Sequence, residues 1–429
     1  MVNRPRVVIV GAGFAGCGAA VAAAKAGAEV VLLERTDFVV ASGIRAGVMN
    51  NNGKLVAAEE AKALGGGDIF EALESIVLHR GHIVDEDHAY VYNTVLVELT
   101  VRRLLLDMGV DLHLQRRAVD VVREGGVIKA VVLGRGKSVE GDAFVDCSGD
   151  TGGVKVCKKY GGGCAMCVTH RCPTFGDRVS IATKAGVPEY ARHRPDGTPG
   201  TLQSAFSLHK SSLDPVLRAR LEKEGAISIP LPKEMIDHNL MYQIGGIRTA
   251  LQMERLNLVD IGIAAKCIGN GAIPPGQLRN IPGLECAVIE NPIAAGSGNK
   301  INGVSMAPRE DTLRCRDFGN LFVAGVKAGP LGGITEAIVT GLVAGHNAVR
   351  AALKKTLWTL PRETTIGDFV GFTGQMMESP QHRNRGYSMA HEAYFERMKR
   401  EGLYTTDVAS IHRRIRDLGL TGVLARKLV

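Results

Sequence analysis

Three glycines, Gly11, Gly13 and Gly16, follow the apolar run Val7 to Val10 and open an alanine-rich stretch. That stretch leads to a second apolar run, Val30 to Leu33, which ends on Glu34. Glycines at this spacing do chemistry with their backbone. The first permits a tight turn, the second lets main chain approach a pyrophosphate, and the third lets a helix pack closely on a strand. A helix beginning at Phe14 and Ala15 turns unpaired N–H groups and the positive end of its dipole toward the phosphates. Glu34, with Arg35 after it, is placed to accept hydrogen bonds from a ribose. The pattern specifies a dinucleotide cradle.

A second concentration of reactive residues lies further on. Four of the nine cysteines, Cys157, Cys164, Cys167 and Cys172, share the window VCKKYGGGCAMCVTHRC. Three readings stand. Thiolates could hold zinc or an iron–sulfur cluster, although the spacing fits no common cluster signature and no metal ligand set is assigned. Cys167 or Cys172 could be a redox or nucleophilic thiol, since His170 and Arg171 beside Cys172 would favour its thiolate and suit an anionic or carbonyl substrate. The third reading is a set of incidental thiols in a loop.

These groups need elements to position them. The 429 residues are 45% hydrophobic with a formal net charge of +8, enough chain for two to three folding units. The modest positive excess permits an anionic partner without requiring one. A helix is expected near Thr94 to Met108 with Leu96, Leu99 and Leu106 facing inward. Short strands joined by glycine turns follow, in DLHLQ, AVDVVREGGVIKAVVL and KSVEGDAFVDCSGD. Residues 157–272 lose this regularity, with a helix expected near Thr249 to Leu256. Strand–turn–helix grammar returns at Leu321 to Leu353. The boundaries read as a discontinuous cofactor domain at 1–154 and 273–355, an inserted α+β substrate domain at 155–272, and a helical basic region at 356–429. No signal peptide precedes the first strand, and no apolar run approaches the roughly 18 residues of a spanning helix, so a cytoplasmic protein away from membranes is expected.

Gly11 to Glu34, VDCSGD at Val145 to Asp150, and LFVAG through the GLVAG-bearing helix at Leu321 to Gly345 together resemble the two-dinucleotide-binding-domain flavoproteins. IPGLECAVIE at Ile281 to Glu290 and THRCPTFG at Thr169 to Gly176 are similar to segments of the glucose-inhibited division protein A group and of the folate-dependent tRNA uridine methyltransferases. The resemblance implies an α/β, Rossmann-like FAD-binding domain, a parallel sheet plus a β-meander, holding FAD. It places around FAD, besides the residues above, Ser42, Gly43, Asn50, Val119, Ser148, Gly149, Asp150, Gly325, Val326, Gly332, Gly333 and Ile334. Asn51 and Asn52 share the loop that approaches the flavin, and Asn299, Lys300 and Asn302 fall on the substrate side. The helix after Gly332-Gly333-Ile334 would aim its dipole at the flavin ring and stabilise negative charge there. Many FAD enzymes carry an Asp where this chain has Val326, so that contact must come from elsewhere.

The expected function is an FAD-dependent oxidoreductase that passes hydride or electrons between flavin N5 and a small-molecule substrate. No second fingerprint for NAD(P)H is present, which favours reduction by the substrate or by a carrier. Two alternatives stand beside it: an FAD-dependent tRNA-modifying enzyme, and an electron-transfer subunit with an iron–sulfur cluster. From Pro380 onward ten Lys and Arg face five Asp and Glu. Arg413, Arg414, Arg416, Arg426 and Lys427 could meet RNA phosphate, and Tyr387, Tyr394, Phe395 and Tyr404 could stack bases. A solvated helical face with a homo-oligomer contact is the preferred reading of that tail.

Overall fold

A computed structural model of the chain describes residues 4–40, 43, 46–81, 83, 87–149, 179–193, 205–236, 254–268, 275–291, 305–390 and 392–429. Its first layer is a parallel sheet. Strand β1 (Arg6–Val10) runs into helix α1 (Phe14–Lys25) and strand β2 (Glu29–Leu33). Strands β10 (Ala143–Asp146), β18 (Leu321–Val323) and β6 (Asp111–His113) complete the order β18-β10-β1-β2-β6, every pair parallel. Val7, Val8 and Ile9 are fully buried, as consecutive residues must be when both faces of a strand are covered.

Helices α1, α4 (Val97–Asp107) and α7 (Ile334–Ala352) pack on that sheet, and α2 (Lys54–Ala63) and α3 (Asp68–Glu74) pack on those helices. α1 and α7 touch backbone to backbone. A Cβ on Gly341 would lie 2.1 Å from the Ala15 carbonyl oxygen, and one on Gly345 2.1 Å from that of Ala19. Only glycine allows this approach, which brings the starts of the two helices to one side of the sheet. Strands β3 (Val48–Met49), β4 (Val77–Arg80) and β5 (Tyr90–Tyr92) form a small antiparallel sheet, and β7 (Ala118–Glu124), β8 (Val127–Leu133) and β9 (Ser138–Glu140) form the expected meander.

The expected inward leucines of α4 are corrected. Val97, Val101 and Leu105 are fully buried, whereas Leu96, Leu99 and Leu106 are 42%, 65% and 54% exposed. Both sets run at helical spacing, and the set of Val97, Val101 and Leu105 faces inward.

A second layer is antiparallel, in the order β13-β14-β15-β12-β16. Its strands are β12 (Ala205–His209), β13 (Ala226–Pro230), β14 (Arg255–Asp260), β15 (Ala264–Ile268) and β16 (Ile289–Asn291), with helix α6 (Pro215–Glu224) across one face. This layer has its own core of Leu208, Leu221, Leu256, Leu258, Cys267, Leu278 and Leu284. Two expectations change here. The segment expected to be helical up to Leu256 enters strand β14 at Arg255. Strand β16 belongs to this sheet, so the second layer continues past residue 272. The short helix α5 (Ile181–Ala185), by contrast, buries Ile181 and Ala182 in the first core, and β11 (Tyr190–Ala191) pairs with β17 (Ser305–Met306).

The tail forms helices α8 (Thr365–Glu378), α9 (Glu392–Arg400) and α10 (Val408–Asp417). Tyr394, Met398, Ile411, Ile415 and Leu424 are buried in the first core. No helix among the described residues is long and apolar enough to cross a membrane.

Candidate functional site

The cradle follows from three different demands on three glycines. Gly11 has φ +100°, and a Cβ there would lie 2.4 Å from the Cys147 carbonyl oxygen. A Cβ on Gly16 would lie 1.8 Å from the Gly11 carbonyl oxygen, so helix and loop close only on glycine. Gly13 has ordinary extended geometry, φ −68° and ψ 178°, yet a Cβ there would meet nothing within 4 Å. Space, not strain, sets that position. It opens in front of α1, whose first turn carries no acidic side chain and no side-chain cap. This is a built anion site.

Glu34, 9% exposed, sits at the cradle's edge. Its Oε2 accepts from the Ala12 N–H at 2.8 Å, and its Oε1 accepts from the Thr36 N–H and hydroxyl, both at 2.9 Å. The carboxylate therefore orders the loop, and Oε2, with one bond made, keeps a lone pair for a ribose hydroxyl. Arg35 is half-buried beside it. Gly43 lies against the Phe14 ring, and its carbonyl accepts from the Tyr92 hydroxyl at 2.6 Å. Ser148 donates its N–H to Asp146 Oδ1 at 2.9 Å, and Gly149 follows at φ +76°. Gly325, at φ +63°, packs on Ala15 and donates its N–H to the Thr340 hydroxyl at 3.0 Å. Val119 is half-exposed on β7, in the meander.

Val326 packs in an apolar cluster with Met306, Met377 and Tyr190 and so offers no polar contact of its own. The neighbouring Lys327 is fully buried and pairs with Glu189 at 2.7 Å. Ser180 donates to Asp146 at 2.7 Å and also contacts Glu189.

The second end of the site is the start of α7. A Cβ on Gly332 would meet nothing within 4 Å, while Gly333, at φ +135°, lies under the Glu336 carboxylate. Ile334 begins the helix. Glu336 is fully buried, and its Oε1 accepts from the Ser388 hydroxyl at 2.7 Å and the Met389 N–H at 2.8 Å. The Met389 carbonyl in turn accepts from the Gly53 N–H at 3.2 Å, which brings the Asn50–Gly53 loop to the same place. Among the described residues, the buried Oδ1 of Asn50 (4% exposed, φ +59°), Thr335 Oγ1 and Glu336 Oε2 have no partner. Orphaned buried polar atoms are costly unless a ligand satisfies them. The open cradle at Gly13, the open space at Gly332 and these orphaned atoms fit a long dinucleotide bearing a polar ring.

Several expected residues fall elsewhere. Cys167, His170, Arg171, Cys172, Ser42 and Asp150, with Cys157, Cys164, Asn299, Lys300 and Asn302, lie outside the described residues. Burial pushes the Cys147, Cys267 and Cys315 thiols well up, which makes them inert packing groups. Among the described residues no cluster of His, Cys, Asp or Glu could hold a metal ion. Tyr387, Tyr394 and Phe395, read as candidates for base stacking, are 4%, 0% and 3% exposed and pack in the core. Arg414 points inward to Glu60 at 3.4 Å, leaving Arg413, Arg416, Arg426 and Lys427 on the surface. Reading the sequence missed Gly18, Gly341 and Gly345 as the contact that aims the helices; their small-residue spacing was the available signal. Glu336 and Thr335 carried no local signal.

Comparison with known proteins agrees with this geometry. Residues 6–154 match the FAD dependent oxidoreductase family and residues 275–356 match glucose inhibited division protein A. The methylenetetrahydrofolate–tRNA-(uracil-5-)-methyltransferase TrmFO of Bacillus velezensis is 34% identical over 112 residues, 25% of this chain and 25% of that protein. The tRNA uridine 5-carboxymethylaminomethyl modification enzyme MnmG of Chlamydia trachomatis is 24% identical over 444 residues, 87% of this chain and 68% of that protein. The chain thus matches a quarter of the length of its TrmFO relative. The solved structure of Aquifex aeolicus GidA superposes with a TM-score of 0.65 at 17% identity, covering 97% of this chain and 77% of that one, which establishes the fold. Residues 6–154 thus carry the pattern of the FAD dependent oxidoreductase family, and the chain is similar to the glucose-inhibited division protein A and TrmFO proteins.

Proposed function

We propose that the chain binds FAD without a covalent link and uses it to modify a base of tRNA, acting in the cytoplasm. One observation carries the reading: the similarity to MnmG covers 87% of the chain and so runs far beyond the cofactor motifs. It displaces the small-molecule reading that the sequence first favoured.

FAD, when bound, supplies hydride or electron transfer at the flavin ring. The chain's residues do the rest. Gly13 leaves room for the pyrophosphate, and the first-turn N–H groups of Phe14 and Ala15 hold it. Glu34 takes a ribose hydroxyl. The start of α7 presents positive dipole to the ring, and Asn50, Thr335 and Glu336 offer their orphaned atoms to its polar edge. Glu336 also ties Ser388 and Met389 down, which keeps water out of that end. Arg413, Arg416, Arg426 and Lys427 are free to meet phosphate. The burial of Tyr394 and Phe395 means that contact is ionic rather than stacked, and the same burial is what favours the second reading, a small-molecule oxidoreductase.

The test begins with protein purified without air. Its absorption spectrum after exposure to air should show the two bands of oxidised flavin, with no stoichiometric iron. Flavin-loaded protein should then retain tRNA at low salt and release it as salt rises. Flavin-loaded protein that fails to retain tRNA at low salt returns the function to small-molecule oxidation. A colourless protein that cannot be reconstituted with FAD removes both readings.

A further inference from the structure

The second sheet carries a cation on a face where nothing described balances it. Along β15, Ala265 and Cys267 face the second core, so Ala264 and Lys266 face the opposite way. That opposite face meets the small sheet β3-β5-β4, where Val259, Ile261 and Ala264 pack with Val91 and Ile83. The joint is tight: the Thr94 hydroxyl donates to the Ile261 carbonyl at 2.7 Å, and a Cβ on Gly47 would lie 2.4 Å from Ile261. Lys266 crosses this seam. Its Nζ donates to the Ala46 carbonyl, in the loop that leads to Asn50. An ammonium has three donors, so two remain.

No carboxylate among the described residues pairs with Lys266. Its nearest charged influence is another cation, Lys54, the first residue of α2, whose ammonium likewise has no acidic partner among the described residues. Ser207, 2% exposed, is the register neighbour of Lys266 on β12. Burial lowers the Lys266 pKa to about 8, and the Lys54 charge pushes it the same way. Lys266 and Lys54 are both half-buried, and a partly desolvated cation without an anion is unfavourable, more so with a second cation near it. Seams between layers are where small ligands bind.

We propose that Lys266, with Lys54 beside it, forms an oxyanion site at the seam between the second sheet and the cofactor layer, taking a phosphate or carboxylate group of the substrate. The site goes beyond the tRNA reading and does not rest on it, because a small acidic substrate would use it equally. Its specificity is for one oxyanion rather than for a polyanionic backbone, since Lys266 is half-buried in the seam.

The experiment uses FAD-loaded protein with inorganic phosphate and, in a separate arm, acetate as probes. Binding is read by calorimetry, and by protection of Lys266 from trinitrophenylation at pH 8 with mass-spectrometric readout. Phosphate or acetate should protect Lys266, and whichever protects better identifies the class of group. K266M should weaken probe binding at least tenfold, K54M about threefold, and K266R should stay near the wild type. Equal binding by K266M and wild type overturns the site. So does loss of FAD retention in K266M with the fold intact, because the anion would then be the cofactor's own pyrophosphate. Should K266M fail to fold, unprotected labelling of Lys266 in the wild type overturns the proposal without it. Retention of tRNA is measured separately, so its failure and the failure of this site are distinguishable.

Discussion

The two sheets are built on opposite rules. In the first, parallel strands buried on both faces are threaded by helices, and each functional turn lies between a strand and the helix that follows it. In the second, antiparallel strands have one face on a private core and the other on a seam. The first layer therefore makes its site from contiguous residues, Gly11 to Gly16 and Gly332 to Glu336. The second can contribute only side chains that project across the seam, as Lys266 does. A cofactor site can be local in sequence because a dinucleotide is gripped by backbone. A substrate site between layers cannot be.

The sharpest way to break this distinction is inside one motif. Gly16→Val puts a side chain where the Gly11 carbonyl already lies within 1.8 Å, and it should cost at least ~3 kcal/mol of folding stability or abolish soluble protein. Gly13→Val enters open space at an allowed φ of −68°, so the apoprotein should unfold at the wild-type temperature while FAD binding falls at least ~100-fold. Thermal denaturation and flavin retention, read on both variants, check it. A Gly13→Val protein with full flavin occupancy would move the pyrophosphate elsewhere.

How much of this was legible differs between the layers for the same reason. The Gly11–Glu34 unit, the meander and the helix after Gly333 were readable because strand period, helix period and turn glycines agree within about thirty residues. The strand at Arg255–Asp260 was not: it forms a hairpin with the strand that follows it, but its other partner, Ala226–Pro230, comes from further up the chain. Nor was the role of Glu336, whose partners Ser388 and Met389 arrive from the tail. Val326 was legible only as a departure; that it joins Met306 and Met377 required the fold.

The next prediction asks which layer the segment around Glu189 serves. Glu189 follows α5, in the region read as inserted, yet it pairs with Lys327 of the closing motif with both side chains 5% exposed or less. Lys327→Met leaves the Glu189 carboxylate buried without its cation, and it should destabilise the first layer by ~3–5 kcal/mol. The surface pair Arg6–Glu29, 39% and 53% exposed, should give under ~1 kcal/mol when broken by Arg6→Met. Denaturant titration of the two variants compares them. Equal effects would mean the Glu189 segment is not held by the first layer.

The tail is tested through pH. Glu60 of α2 is fully buried and accepts from the Thr365 and Ile366 N–H groups, at 2.8 and 3.0 Å, at the start of α8. Burial raises its pKa from 4.5 to about 6 against the opposing pull of those bonds and of Arg414. Because the folded value lies above the unfolded one, the stability this group contributes is fully present below pH 4.5 and is lost as pH rises through about 6. The difference in stability between wild type and Glu60→Gln should therefore fall by ~2 kcal/mol across that window. A difference that stays flat would place Glu60 outside the joint between tail and first layer.

The smallest effect, that of Leu99→Gln, comes from α4, where two stripes at helical spacing compete and only one can face inward. Leu105 is fully buried in the first core, so Leu105→Ala should cost ~2–5 kcal/mol for lost burial and the cavity left behind. Leu99, 65% exposed, touches solvent, and Leu99→Gln should stay within ~0.5 kcal/mol of wild type. The residues are six apart, about 120° around one helix and of one chemical type, so the contrast between them reports which faces inward. Thermal denaturation of the pair reads that orientation directly. A costly Leu99→Gln with a neutral Leu105→Ala would rotate the helix to the phase its leucines first suggest, and would turn Val97 and Val101 out toward water. The burial of Val97, Val101 and Leu105 decides against that rotation, because all three would turn toward water to cover Leu96, Leu99 and Leu106.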